Sequence, residues 1–389
     1  MVDALPAVNW SFPTAIRFGV GRIAELPEVC RTAGMSKPLL VTDPGLATLP
    51  MVREAVTACR AEGLAAEVFS GIKPNPTWPN VEAGLAVRRA GRYDGVIAFG
   101  GGSALDAGKA IAFMAGQSRP IWDFEDVDDW WQRANAEGIL PIVAVPTTAG
   151  TGSEVGRAAV VTDETRHVKK VIFHPEMLPA VVIADPALSA GLPPPLTAAT
   201  GMDALAHALE AYCAPGFHPM AEGVAVEAIR LVHDWLPKAV AQGDDLVARG
   251  HMLTAAAMGA VAFQKGLGAI HSVSHPLGSL YDKHHGLLNA VVMPYVLAFN
   301  RPAIEDKLDR LARWLDLPRP GFDGVMEWVL ELRRVIGIPY TLAELGIDDR
   351  DAELIGEMAA ADPTASGNPV PVDAPALKGL FLDALTGRL

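Results

Sequence analysis

Between Gly266 and Gly286 the chain reads G-L-G-A-I-H-S-V-S-H-P-L-G-S-L-Y-D-K-H-H-G and holds four of its ten histidines: His271, His275, His284 and His285. His271 and His275 stand four apart, so on a helix they share one face. The second pair precedes Gly286, which suits a turn or a new helix start. The neighbours are small and apolar (Leu267, Ala269, Ile270, Val273, Leu277), which marks the segment as buried. Buried imidazoles need partners, and several converging in one segment point to a metal. Upstream, T-A-A-T-G-M-D-A-L-A-H-A-L-E repeats the spacing with Asp203 and His207. Taken alone, Asp203 reads as a helix cap and His207 as a satisfied surface histidine. Together with the downstream histidines they make a nitrogen and oxygen donor set without thiolate. That set suits Fe(II), Zn(II), Mn(II) or Co(II) and does not choose among them.

The elements that must position these side chains follow from the patterning. Strand-like runs occur at residues 12–21, 38–43, 66–69, 95–99, 139–145, 158–162 and 181–184, with helical stretches at 51–62 and 78–90 between them. This alternation predicts a parallel sheet with helices on both faces. From about Thr197 the chain is rich in Ala and Leu at helical spacing as far as its last residue. We expect two domains, an α/β nucleotide-binding domain at 1–192 and an all-helical metal-binding domain at 193–389, with the active site between them.

The strand ending at Phe99 runs into Gly100, Gly101, Gly102 and Ser103, and a helix follows. Glycines at that junction let backbone amides approach a phosphate, with the helix dipole behind them. The run is not G-x-G-x-x-G, and a tight turn without ligand is the plain alternative. Asp43, at the end of an earlier strand, suits ribose hydroxyls and would repel a 2′-phosphate, which favours NAD over NADP. A loop acid or cap is its plain alternative. Hydroxyls and glycines cluster again in P-T-T-A-G-T-G-S-E at 146–154.

Composition narrows the partners. The formal charge of −13 argues against nucleic acid and anionic membrane. The three cysteines (Cys30, Cys59, Cys213) are an odd, scattered set that fits a reducing cytoplasm. The first ten residues lack a secretory pattern, and the apolar runs read as too short or too broken to span a bilayer.

These pieces together resemble the iron-dependent (group III) alcohol dehydrogenase family over essentially the whole chain. The resemblance is carried by F-P-T-A-I-R-F-G, P-N-P-T, G-G-G-S-A-L-D, P-T-T-A-G-T-G-S-E, G-M-D-A-L-A-H-A-L-E, the histidine segment and D-P-T-A-S-G-N-P, in this order. It implies a dinucleotide-binding domain followed by a helical domain, the fold shared with dehydroquinate synthase, and a homodimer. It implies a metal-dependent, NAD-linked oxidoreductase of small alcohols and aldehydes. One divalent metal, Fe(II) foremost with Zn(II) as the alternative, would be held by Asp203, His207, His271 and His285. His275 would line the site and relay the proton, and His284 would be a neighbour. Asp43, Asn75, Gly101, Gly102, Ser103, Asp106, Thr147, Thr148 and Lys169 fall on the nucleotide-contact motifs. A lyase like dehydroquinate synthase would need more basic residues around the site. Two departures bear on the substrate: Gly156 and Ala158 lack the polar side chains many relatives carry, and F-Q-K-G-L-G looks one residue short. Lys265 in that loop would either clamp a substrate carboxylate, as in a 4-hydroxybutyrate-like hydroxy acid or its semialdehyde, or extend its charge into solvent.

Overall fold

The structure is a computed structural model that describes residues 11–166 and 168–389. It forms two compact units, one of residues 13–192 with 244–253, the other of 193–243 and 254–389 with Ser11 and Phe12. The units part at 192/193, and one later segment returns to the first of them. The segment 244–253 joins the sheet unit, where the Arg249 guanidinium donates to the Leu192 carbonyl at 3.1 Å.

The first unit is built on a parallel sheet of β1 (Ala15–Phe18), β2 (Pro38–Val41), β3 (Glu67–Phe69), β4 (Gly95–Gly100), β5 (Ile142–Pro146) and β8 (Val181–Ala184). The spatial order is β1-β8-β5-β4-β2-β3. The central strands β2, β4 and β5 are buried along their whole length, as continuous apolar runs such as V-I-A-F demand when helices cover both faces. The edge strands β1 and β3 are largely exposed. The chain runs outward from β2 to β3 and returns to place β4 on β2's other side. Such a reversal opens a crevice at the carboxyl ends of β2 and β4, where ligands of open α/β sheets bind.

Two strands, β6 (Ala158–Asp163) and β7 (Val168–Phe173), pair antiparallel outside the main sheet. The sequence reading places Lys169 and Lys170 between two strands and assigns no strand to 168–173. Pairing across to β6, with Val161 opposite Lys170, supplies the order that local pattern lacks.

Among the described residues, the second unit contains helices and no strand. Three helices carry the acid and histidine motifs: Pro194–Cys213, Ala269–Tyr281 and His285–Trp314. Each begins where its sequence says it can, after Pro193, after Gly268 and after His284. The stretches Leu246–Lys265 and His285–Trp314 are long and apolar enough to cross a bilayer by length and composition, contrary to the sequence reading. Most of each apolar window is buried inside the fold, as in core helices.

The helix Gly102–Met114 lies against the sheet through Gly108, where an added Cβ would come within 2.7 Å of the Ala98 Cβ. Gly108→Val is expected to lift the helix and cost about 2 kcal/mol through overpacking. Thermal denaturation should show a midpoint lowered by several degrees; an unchanged midpoint would refute the close packing.

Candidate metal and nucleotide sites

On the helix Pro194–Cys213, Asp203 and His207 lie one turn apart and are both buried. His271 faces them from Ala269–Tyr281, and ligand atoms of Asp203, His207 and His271 all fall within 4.8 Å of one another. The Asp203 Oδ1 is 3.9 Å from the His207 Nε2, 3.9 Å from the His271 Nε2 and 3.6 Å from the His285 Nε2. A tetrahedral cation with bonds of about 2.1 Å separates its ligand atoms by roughly 3.4 Å, so these four side chains already stand near coordination spacing.

A glycine sets that spacing. A Cβ on Gly286 would meet the Ala199 carbonyl oxygen at 2.3 Å and the Asp203 Cβ at 3.0 Å. Only glycine lets the start of His285–Trp314 approach Pro194–Cys213 closely enough to set His285 beside Asp203.

Carboxylates hold the imidazoles from behind. The His271 Nδ1 lies 2.5 Å from the Glu210 Oε2, and the other oxygen of Glu210 accepts from the Ile270 amide at 2.7 Å. Burial alone would lower the pKa of His271. Glu210, with Asp203 and Asp362 nearby, outweighs it and holds that pKa above the usual imidazole value. A hydrogen at Nδ1 leaves the Nε2 lone pair aimed at Asp203, which is the arrangement of a metal-ligating histidine with its supporting carboxylate. His275 is oriented likewise by Asp362 at 2.7 Å. Burial opposes ionisation of Asp362, yet the contacts with His275 and Thr364 hold its pKa below the ordinary carboxylate value. The His275 ring stacks on His285 with centroids 5.2 Å apart, and Phe263 packs at 5.2 Å against His207.

Asn289, one turn after His285, closes the group. Its Nδ2 is 2.8 Å from the Asp203 Oδ1, 3.2 Å from the His271 Nε2 and 3.1 Å from the His285 Nε2. An amide has two hydrogens for these three acceptors, and the Asn289 Oδ1 is buried without a hydrogen-bond partner. The donor set of one carboxylate and three imidazoles fits a divalent cation.

Sequence reasoning missed Glu210, Asn289 and Asp362 as parts of the site. Glu210 and Asp362 stand inside quoted motifs; Asn289 follows His285 at i+4, the same signal that found the histidine pairs. His284 is the residue before the helix, and its carbonyl accepts from the Leu287 and Leu288 amides, both at 3.1 Å.

Lys265 requires a correction. Its side chain is buried, and its Nζ donates to the Ala211 and Tyr212 carbonyls, both at 3.1 Å, and to the Glu222 Oε1 at 2.7 Å. It neither clamps a substrate carboxylate nor extends into solvent. Its ammonium neutralises the carbonyl end of the helix that carries Asp203 and His207, a favourable place for a cation. Burial pushes its pKa down to about 8 even so.

The nucleotide motifs gather at the carboxyl ends of β2, β4 and β5. Gly100, at φ +146°, turns the chain out of β4, and its carbonyl accepts from the Thr147 amide at 3.0 Å. A Cβ on Gly101 would come within 3.2 Å of the Thr148 side chain, and one on Gly102 within 2.5 Å of Thr151. The turn is thus bare backbone at the start of a 13-residue helix, capped by no side chain of its own N-cap residue, which suits a phosphate. The Asn75 amide donates to the Ser103 Oγ at 3.3 Å. The Thr162 amide donates to the Pro76 carbonyl, and Lys169 lies opposite Thr162 on the hairpin. Asp43 caps the short helix Pro44–Ala47, its Oδ1 accepting from the Leu46 amide at 2.9 Å.

Asp106 has both oxygens engaged within the protein, by the Ser153 Oγ at 2.5 Å and the Val160 amide at 3.1 Å. It binds the glycine helix to the 146–154 loop and to β6. Lys109, buried on the same helix, donates to the Ser153 carbonyl at 2.9 Å and to the Ala158 carbonyl, and lies 3.3 Å from Asp106. A Cβ on Gly156 would sit 3.8 Å from this ammonium, so the missing side chain borders Lys109.

The family model described as "Iron-containing alcohol dehydrogenase" matches residues 13–186, and "Fe-containing alcohol dehydrogenase family, C-terminal" matches 197–385. The chain belongs to the iron-containing alcohol dehydrogenase family. It is an oxidoreductase acting on CH–OH donors. It is 37% identical to the NAD-dependent methanol dehydrogenase of Bacillus methanolicus over 371 residues, 93% of this chain and 95% of that one. It is 38% identical to the 4-hydroxybutyrate dehydrogenase of Cupriavidus necator over 367 residues, 92% of this chain and 94% of that one. Its structure superposes on that of a 1,3-propanediol oxidoreductase with a TM-score of 0.93, at 36% identity, over 98% of this chain and 100% of the other.

The buried Glu154 carries a pH prediction. Burial raises its carboxyl from 4.5 to about 7, although Lys109 opposes the shift. A raised folded-state pKa stabilises the fold below pH 4.5, and that contribution is lost as pH rises to about 7. Glu154→Gln should remove this dependence, so its stability relative to wild type should climb across the interval. Paired denaturant titrations read the difference, and a constant difference would contradict the burial of an ionisable group there.

Proposed function

We propose that this enzyme oxidises short-chain primary alcohols with NAD and catalyses the reverse reduction of the aldehydes, using Fe(II) at the four-residue site. The observation that carries the reading is the convergence of Asp203, His207, His271 and His285 at coordination spacing with Glu210 behind His271. Asp203, His207, His271 and His285 would hold the cation, while Gly101, Gly102, Ser103, Asn75, Thr147, Thr148 and Lys169 would hold the dinucleotide. A cation held there would supply a Lewis acid that lowers the pKa of the alcohol oxygen, and the dinucleotide would supply the hydride acceptor. Asp362 keeps the hydrogen on the His275 Nδ1, so the Nε2 offers a lone pair for the alcohol proton. Phe263 packs on His207 and keeps water from that side of the ligand. No protein nucleophile is required.

The acidic net charge supports small-molecule substrates over nucleic acid or membrane. Three free, buried cysteines support a reducing cytoplasm. The exposed apolar residues Ile16 and Phe18 on edge strand β1, with Val20 just beyond it, support a homodimer in which a second copy covers that edge. The engagement of Lys265 with helix carbonyls favours plain alcohols over hydroxy acids.

Metal-reconstituted enzyme should reduce NAD with butanol and 1,3-propanediol, and Lys265→Met should move KM for butanol and 4-hydroxybutyrate alike. His271→Ala should abolish both turnover and metal retention. Formation of NADH with no alcohol, or full occupancy of the His271→Ala variant by elemental analysis, would overturn the reading.

Asp43 supports NAD over NADP through charge. Wild type should prefer NAD in kcat/KM by about tenfold or more. Asp43→Asn keeps an oxygen for the Leu46 amide and loses the charge, so it should narrow the preference. A wild-type preference for NADP would remove Asp43 from the ribose.

A further inference from the structure

We infer that Asn289 preassembles the metal site, holding donors from three helices in coordination register before the cation arrives. The inference rests on the proposed metal site and adds a positioning residue to it. Asn289 is fully buried, and its Nδ2 reaches donor atoms on Pro194–Cys213, on Ala269–Tyr281 and on its own helix. Without it, the Asp203 Oδ1 would face the lone pairs of the His271 and His285 imidazoles at 3.9 and 3.6 Å. Acceptors facing acceptors repel, and the side chains would turn away from the centre. The amide prevents this by donating to them.

Its hold is deliberately incomplete in the chemical sense: two hydrogens cannot satisfy three acceptors, and the Oδ1 of the same amide has no partner. The contacts fix geometry while leaving one of the three acceptors without an amide hydrogen. A divalent cation bound there would be met by lone pairs already aimed at one point, so binding would need little rearrangement of the ligands. Gly286 fixes the distance between the helices at this point, and Asn289, three residues on, fixes the side chains within it. Removing its hydrogen bonds weakens metal binding even though Asn289 is none of the four ligands, as with other groups that support metal ligands.

The test uses full-length enzyme stripped with a chelator and titrated with Co(II). The dissociation constant is read by competition with a chromophoric chelator and the geometry by the d–d absorption. Asn289→Leu keeps the volume and loses the hydrogen bonds, so its Kd should rise about 10–100-fold with an altered spectrum. A Kd within twofold of wild type would reduce Asn289 to packing and overturn the inference. Asn289→Asp keeps the shape, loses the donors and adds a charge beside Asp203. Its metal-free thermal midpoint should fall, and Co(II) should raise that midpoint by more than in wild type; an equal rise would also overturn the inference. If wild type itself takes up no Co(II), the metal site and this inference fall together. If wild type binds and the Leu variant binds equally, only the inference falls.

Discussion

Everything in the helical unit is constrained by one buried carboxylate that must face three imidazoles at less than 4 Å. Asp203 is 2% exposed, and a carboxylate so buried is costly unless charge or hydrogen bonds meet it. The packing around it follows from that requirement. Gly286 admits a second helix to its flank, and Gly259 admits a third element with only 3.3 Å between an added Cβ and the His207 Cβ. Gly268, whose Cβ would lie 2.9 Å from the Asn368 Oδ1 and 3.2 Å from Glu210, lets the His271 helix begin against its supporting carboxylate. Small residues here serve the approach of polar groups, and the Ala-rich character of Pro194–Cys213 is its consequence.

The helix carrying Asp203 is also terminated with unusual care. Lys265 and Lys307 both donate to its carbonyl end and share Glu222 between them. Two cations at the carboxyl end of one helix complement its dipole, and Glu222 limits their mutual repulsion. Burial holds Lys265 below the usual ammonium pKa, and the Glu222 carboxylate opposes that shift. A rigid end to this helix steadies Glu210, one turn before Ala214, and through Glu210 the ring of His271.

The sheet unit solves a different problem with the same economy. A phosphate site made of backbone must be free of side chains and yet rigid. Glycines provide the first property. The second comes from the buried Lys109 and the partly buried Asp106, three residues apart on the glycine helix, which fasten the 146–154 loop and β6 to it. Burial lowers the pKa of Lys109, with Asp106 acting against that shift. Two carbonyls and a carboxylate surround the Lys109 ammonium.

Local spacing carried much of this in the sequence. The i, i+4 pairs Asp203/His207 and His271/His275, the glycines after an apolar strand, and the strand–helix alternation all express periodicities of 3.6 and 2, which need no knowledge of distant residues. They determined the parallel sheet, the helical unit and the candidate ligands. Other features depended on which helices approach and how closely. Lys265 reads as a pocket cation or a solvent charge until the end of Pro194–Cys213 is seen to meet it. Asn289 shows its role only when three acceptor atoms converge on its amide nitrogen. Asp106 reads as part of a nucleotide motif, and the fold adds that its oxygens bind Ser153 and Val160. The segment around Lys169 and Lys170 is seen to be a strand only when β6 pairs with it. The physical reason is the same in each case: a polar side chain's role is set by its partners and its burial, and both are properties of the packed fold.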